Sequence, residues 1–249
     1  MHRARVMPCL LISGNGLVKT RQFREPTYLG DPVNAVRIFS DKEADEVVVL
    51  DIDASRLGRE PNYRLVEEMA GEAFMPMGYG GGVRTLEHVR RLIRAGVEKV
   101  VINTAAVESP AVIRDSVAEY GSQAIVGAID VKRSMFGKCR AMIRSGATDV
   151  RCTPVEHARR LIGLGVGELL VNNIDRDGTM EGFDIPLIRG IVNEVRVPVV
   201  ACGGAGNVGH LREVIIDGGA AAAAAGSMFV FHGRHRAVLI NYPTGLSVE

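Results

Sequence analysis

Two stretches of this chain carry the residue types and spacing of an anion site. Gly81-Gly82 and Gly203-Gly204 each close a short apolar run. Each is followed by an amphipathic segment and a second apolar run that ends in small polar residues, Asn103-Thr104 in one copy and Gly226-Ser227 in the other. Glycine lets the backbone come close to a ligand, and successive free N–H groups beside a helix start attract an anion, most often phosphate. A shift of 122 residues lays the two stretches on each other, with His88 on His210 and Gly96 on Gly218. A Gly-Gly pair alone could serve only as a tight turn. Two in register, with the same kind of polar ending, point to two phosphate sites facing each other.

Groups able to move protons surround these stretches. Asp130 ends an apolar run, and Asp175 and Asp177 follow another. The segment 12–30 is Gly-rich at Ser13-Gly14-Asn15-Gly16 and carries Lys19. A loop of that length in a compact domain is usually functional, and a glycine hinge bearing a lysine suits a lid that closes on phosphate.

The elements that must position these groups follow from periodicity. Eight apolar runs stand at 5–11, 46–52, 74–79, 99–103, 124–130, 168–173, 197–202 and 220–225. Segments of helical period lie between them, among them 32–42, 63–70, 110–120, 154–164 and 185–194. Strict alternation without a linker predicts one α/β domain over residues 1–249, a closed (β/α)8 TIM barrel with half-barrel repeats of about 1–122 and 123–249. A Rossmann sheet fits worse, because its glycine loop follows the first strand. Strand alternation then turns Asp130 and Asn103 into the mouth, and puts Leu50 and Asn172, not Asp51, on the inner face. Asp51 is therefore a secondary site candidate, with Asn172 and Asp177 as further substrate contacts.

Arg5, Glu46, Lys99 and Glu168 each stand at the start of a predicted inner strand. Four charges alternating in sign at one end of a barrel neutralise one another as a ring and would close its floor. From Lys99 to Asn103 the strand climbs roughly 13 Å. Such a ring reads either as a stabilising ion-pair cluster or as an entrance for a small neutral molecule.

Composition excludes several classes. Thirty basic against 29 acidic residues, net +1, give no footprint for nucleic acid or an anionic membrane. The four cysteines, Cys9, Cys139, Cys152 and Cys202, show no metal-ligand spacing. The apolar segments at 1–12 and 220–231 are too short for a signal sequence or a membrane span. The expectation is a cytoplasmic protein with neither metal nor cofactor.

The motifs ADEVVVLDIDAS, YGGGVRTLEHVRRLIRAGVEKVVINTAAV, YGSQAIVGAID, GVGELLVNNIDRDGTMEGFD and VPVVACGGAG resemble the cyclase subunit of imidazole glycerol phosphate synthase over essentially the whole chain. The resemblance implies a lyase-type barrel that binds a substrate with a phosphate at each end. It also implies a glutaminase subunit docked on the strand-start face as a heterodimer, sending ammonia through a gate of Arg5, Glu46, Lys99 and Glu168. Lys19 falls on the family's loop lysine and Asp130 on one of its two catalytic aspartates. The other is absent: the pattern Pro-Cys-Leu-Asp reads Pro8-Cys9-Leu10-Leu11 here, and Cys202, which the resemblance makes a further substrate contact, replaces a serine. Pro8 to Leu11, Leu17 to Thr20, Glu25 to Tyr28 and Asp51 to Arg56 are more similar to a paralogous branch linked to surface-polysaccharide synthesis. In that branch the barrel, its glutaminase and a third enzyme install an acetamidino group on a phosphorylated sugar derivative. The alternatives are the histidine-pathway cyclase itself, or a non-catalytic ammonia conduit that activates the glutaminase.

Overall fold

The computed structural model describes residues 4–135, 137–233 and 236–243. Eight parallel strands form the barrel: β1 (Arg5–Ser13), β2 (Val47–Asp51), β3 (Met77–Gly80), β4 (Lys99–Ile102), β5 (Ile125–Arg133), β6 (Glu168–Asn173), β7 (Val199–Cys202) and β8 (Ala222–Ala225). Each pairs with the next, and β8 returns to β1, so the sheet closes without a free parallel edge. The fold is a (β/α)8 barrel.

The helices outside begin where the sequence supplies caps. Asp31 accepts from the backbone N–H groups of Val33 and Asn34 ahead of Pro32–Asp41, and Thr85 caps Leu86–Arg94. Thr153 and Glu156 form a reciprocal capping box at Pro154–Gly163. Asn207 caps Val208–Ile216 as Thr85 caps its counterpart. No described helix is long and apolar enough to cross a membrane.

Strand parity divides the apolar residues into two layers. Val6, Leu10, Val49, Tyr79, Val100 and Ile129 face outward and pack under the helices. Met7, Cys9, Leu11, Val48, Val101, Leu170, Val200 and Ala224 fill the bore. Leu50 packs with this inner set as parity requires, and Asp51 does not.

The segment 12–30 differs from the flexible loop expected of it. It is a β-hairpin, Gly16–Arg21 against Arg24–Gly30, whose first arm pairs antiparallel with the overhanging end of β1. Apolar Leu17 and Val18 hold that arm down, both buried at the mouth. Across the barrel the end of β5 carries a matching antiparallel strand, Cys139–Ile143.

His157, on the helix Pro154–Gly163, is buried, and neither ring nitrogen has a hydrogen-bond partner among the described residues. Burial, with help from Arg160, pushes its pKa down to about 4. The unfolded chain takes this proton near pH 6.5 and the native chain only near 4, so stability is full above about 6.5 and is lost as pH falls toward 4. The expected loss is at most about 3 kcal/mol. In His157→Phe, denaturant melts at pH 7 and pH 5 should differ less than in the parent chain.

Candidate active site

The ends of the strands enclose one cavity of about 290 Å³, lined by residues from every barrel strand or the loop that follows it. Gly81 and Gly82 follow β3, and Gly203 and Gly204 follow β7, on the opposite side of the closed sheet. Gly81 and Gly204 share a φ of +117°, a conformation that side chains avoid. A Cβ at Gly204 would lie 2.1 Å from the Gly182 carbonyl oxygen, and one at Gly81 2.5 Å from that of Asp51. Both turns are therefore packed against the loop of the preceding strand and leave their inner side open to the cavity. Asn103-Thr104 and Gly226-Ser227 complete the two cradles, each at the start of a short helix.

Asp130 points into this space from β5. Asn103 Nδ2 lies 3.4 Å from its Oδ2 and donates to the Ala128 carbonyl at 3.2 Å. Burial, and then the charge of Asp177, pushes the Asp130 carboxyl up to about 7. A carboxyl poised there exchanges protons near neutral pH.

Lys19 sits on the hairpin, 7% exposed, with its Nζ 2.9 Å from Asp177 Oδ1. Burial works against its charge, but Asp177 together with Cys9 and Cys202 outweighs it and the ammonium pKa is raised. Thr20 Oγ1 donates to the other carboxylate oxygen at 2.9 Å, and Gln22 N to the Asp177 carbonyl. The lysine expected on a lid is thus latched down across the mouth.

The remaining candidates fall into place unequally. Leu11 is buried on the inner face and lines the cavity. Asn172 is buried beside Gly203, its Oδ1 without a hydrogen-bond partner among the described residues. Asp51 spends Oδ1 on the backbone N–H groups of Asp53 and Ala54, so it first shapes the turn after β2, and burial raises its pKa. Cys202 meets a residue not singled out for this site, Cys9: the hydrogen bond between the thiols, together with burial, drives Cys202 well up. Ser13, Asp53 and Arg56 were also missed as a rim cluster, with Ser13 Oγ 2.6 Å from Asp53 Oδ2 and Arg56 Nη2 2.9 Å from Oδ1. The Ser13 hydrogen bond, with the Arg56 and Arg59 charges, holds Asp53 below the usual carboxylate range.

At the other end of the bore the four strand-start charges form a closed cycle. Arg5 donates to Glu46 and to Glu168 through separate nitrogens. Lys99 Nζ lies 2.9 Å from Glu46 Oε1 and 2.9 Å from Glu168 Oε2. The carboxylates are buried, while the Arg5 and Lys99 side chains keep 29% and 21% exposure.

Fold and mouth together define a (β/α)8 barrel whose candidate chemistry lies at the strand ends, where this class places it. The profile of the histidine biosynthesis protein family matches residues 5–236, and the chain belongs to that family. It is 52% identical over 243 residues to a Pseudomonas aeruginosa protein provisionally named imidazole glycerol phosphate synthase subunit hisF2, covering 98% of this chain and 97% of that one. A Leptospira borgpetersenii protein with a similar provisional name, subunit HisF, is 46% identical over 250 residues, 100% of this chain and 98% of its own. The provisionally named subunit hisF3 of Vibrio vulnificus is 44% identical over 245 residues, 98% and 94%.

Proposed function

We propose that this chain is the ammonia-using barrel subunit of a two-component amidotransferase, and that its acceptor is a phosphorylated sugar derivative that receives an acetamidino group. The observation that carries this reading is Leu11. It occupies the inner-face position where the resembling cyclase has its second aspartate, and it is buried in the cavity wall. Cyclisation with carbon–nitrogen cleavage needs protons given and taken at two places, which paired carboxylates supply. Here Asp177 is engaged by Lys19, and Asp130 is left as the proton-transfer group. Amination of an acyl carbon already activated through its oxygen forms one carbon–nitrogen bond as that activated oxygen leaves, and it needs one base, to take a proton from the attacking nitrogen.

Several features support the rest. Gly81, Gly82, Asn103 and Thr104 form one anion cradle and Gly203, Gly204, Gly226 and Ser227 the other, with Lys19 as the cation between lid and ligand. Asp51, Asn172, Asp177 and Cys202 would contact the acceptor. The cycle of Arg5, Glu46, Lys99 and Glu168 would admit ammonia from a glutaminase on the strand-start face. On that face Phe74, just before β3, is 91% exposed, an aromatic that a docked subunit would cover. The relatives are named as subunits, which suits a barrel that works with a partner chain.

The direct test is ammonia-dependent turnover of the histidine-pathway ribonucleotide. The parent chain should be inactive and Leu11→Asp should gain activity by about 10²-fold or more over background; robust turnover by the parent chain would overturn the proposal. Mixing with the partner glutaminase should raise glutamine hydrolysis, and no rise would remove the two-component part.

A further inference from the structure

Two of the four thiols share one stretch of the cavity wall. Cys9 from β1 and Cys202 from β7 belong to the layer that fills the bore, and both line the cavity. The strand between them, β8, sets Ala224 beside Cys202. A methyl group is too small to part the two side chains, and the thiols meet in a hydrogen bond. Cys202 keeps its proton and donates it, so its own pKa is driven up. The Cys9 thiol is drawn down, by this hydrogen bond first and, against the effect of burial, by the charge of Lys19.

Lys19 reaches the same spot from the hairpin. A Cβ at Gly226 would lie 2.9 Å from the Cys9 carbonyl oxygen and 3.2 Å from Lys19 Nζ, so the ammonium stands beside Cys9. Two carboxylates, Asp177 and Asp130, act against a charge on Cys9. Asp177 is already paired with Lys19, and Asp130, with its carboxyl pushed up to about 7, is only partly ionised at neutral pH. A thiol held beside an ammonium, in a cavity that a small molecule can enter, is a nucleophile toward soft electrophiles. The other two cysteines lack this setting. Cys139 is less buried than Cys9 and Cys152 is buried, and burial, the largest influence on either, pushes both thiols up.

We propose that Cys9 is a modification site whose thiol reacts with hydrogen peroxide to give a sulfenic acid, with Cys202 as the donor that holds the thiolate. The Cys9 sulfur attacks one peroxide oxygen; the S–O bond forms as the O–O bond breaks, and the departing hydroxide takes up a proton and leaves as water. Sulfur loses two electrons and the peroxide gains them. A small thiol reverses the change: it displaces water to form a mixed disulfide with Cys9, and a second thiol frees Cys9 as the two small thiols are joined. Cys202 does not take the first thiol's place. Two strand spacings put the Cys9 and Cys202 backbones roughly 9 Å apart, beyond the reach of a disulfide without backbone movement.

The test uses the whole chain with neither glutaminase nor acceptor, so its outcome is separate from that of the function proposed above. After brief exposure to hydrogen peroxide with dimedone, which marks sulfenic acids, peptide mapping should find Cys9 labelled at least about tenfold faster than Cys139, although Cys139 is the more exposed. Cys202→Ala should slow the labelling of Cys9 by about tenfold, and Cys202→Ser, which keeps a donor, should restore most of the rate. The comparison of Cys9 with Cys139 needs only the parent chain, and it holds whatever the substitutions do to folding. Label on Cys139 first, a Cys9–Cys202 disulfide in place of the label, or a folded Cys202→Ala chain that reacts as fast as the parent would overturn the proposal.

Discussion

Asp130→Asn is expected to cut product formation by the reconstituted barrel and glutaminase by about 10²–10⁴-fold while making the chain more stable above pH 7. The two effects share one cause. Asp130 is held in a cavity where burial and Asp177 raise its pKa to about 7, against an ordinary value of 3.8. A carboxyl whose native pKa lies above its unfolded one contributes full stability below the unfolded value, and that contribution is lost as pH rises through the native value. Between about pH 4 and pH 8 the parent chain should lose roughly 2–4 kcal/mol on this account, and asparagine, which cannot ionise, should not. At pH 8 the variant should melt roughly 5–10 °C higher; at pH 4 the two should converge. In the parent, kcat/KM should rise with a limb near pH 7 that the variant lacks. Unchanged product formation in Asp130→Asn would reduce the barrel to a conduit.

Asp177→Asn should have the opposite effect on stability. The Lys19–Asp177 pair is the most buried ion pair described, with side-chain exposures of 7% and 6%. Removing one charge strands the other, which typically costs about 3–5 kcal/mol. Lys19→Met combined with Asp177→Leu should recover much of that loss, because no lone charge is then left inside. A kinetic signature separates this from a general weakening: the Asp177 charge helps hold the Asp130 carboxyl up, so the limb near pH 7 should move to lower pH in Asp177→Asn. A limb that stays in place would show the two carboxylates to be independent.

Much of this site could be read from the chain because barrel strands obey a period of two. That parity turned Leu50 and Asn172 inward, kept Asp51 off the inner face, and brought Arg5, Glu46, Lys99 and Glu168 to one level, where they meet as a cycle. It could not find Asp177 opposite Lys19, 158 positions away, or Cys9 against Cys202. Those contacts depend on how the sheet closes and how an overhanging hairpin folds back, and no local pattern encodes either. The hairpin itself was misjudged because Ser13-Gly14-Asn15-Gly16 reads as a hinge. Gly14, with φ +60°, makes a two-residue turn with Asn15, and the following Leu17 and Val18 anchor the strand that results.

The overhangs of β1 and β5 have a steric consequence. In a closed ring of eight they stand diametrically opposed, and the Gly81 and Gly203 turns, after β3 and β7, lie on the perpendicular diameter. The mouth therefore has an antiparallel overhang at each end of one diameter and a glycine turn at each end of the other, so the two turns look at each other between the overhangs rather than across them.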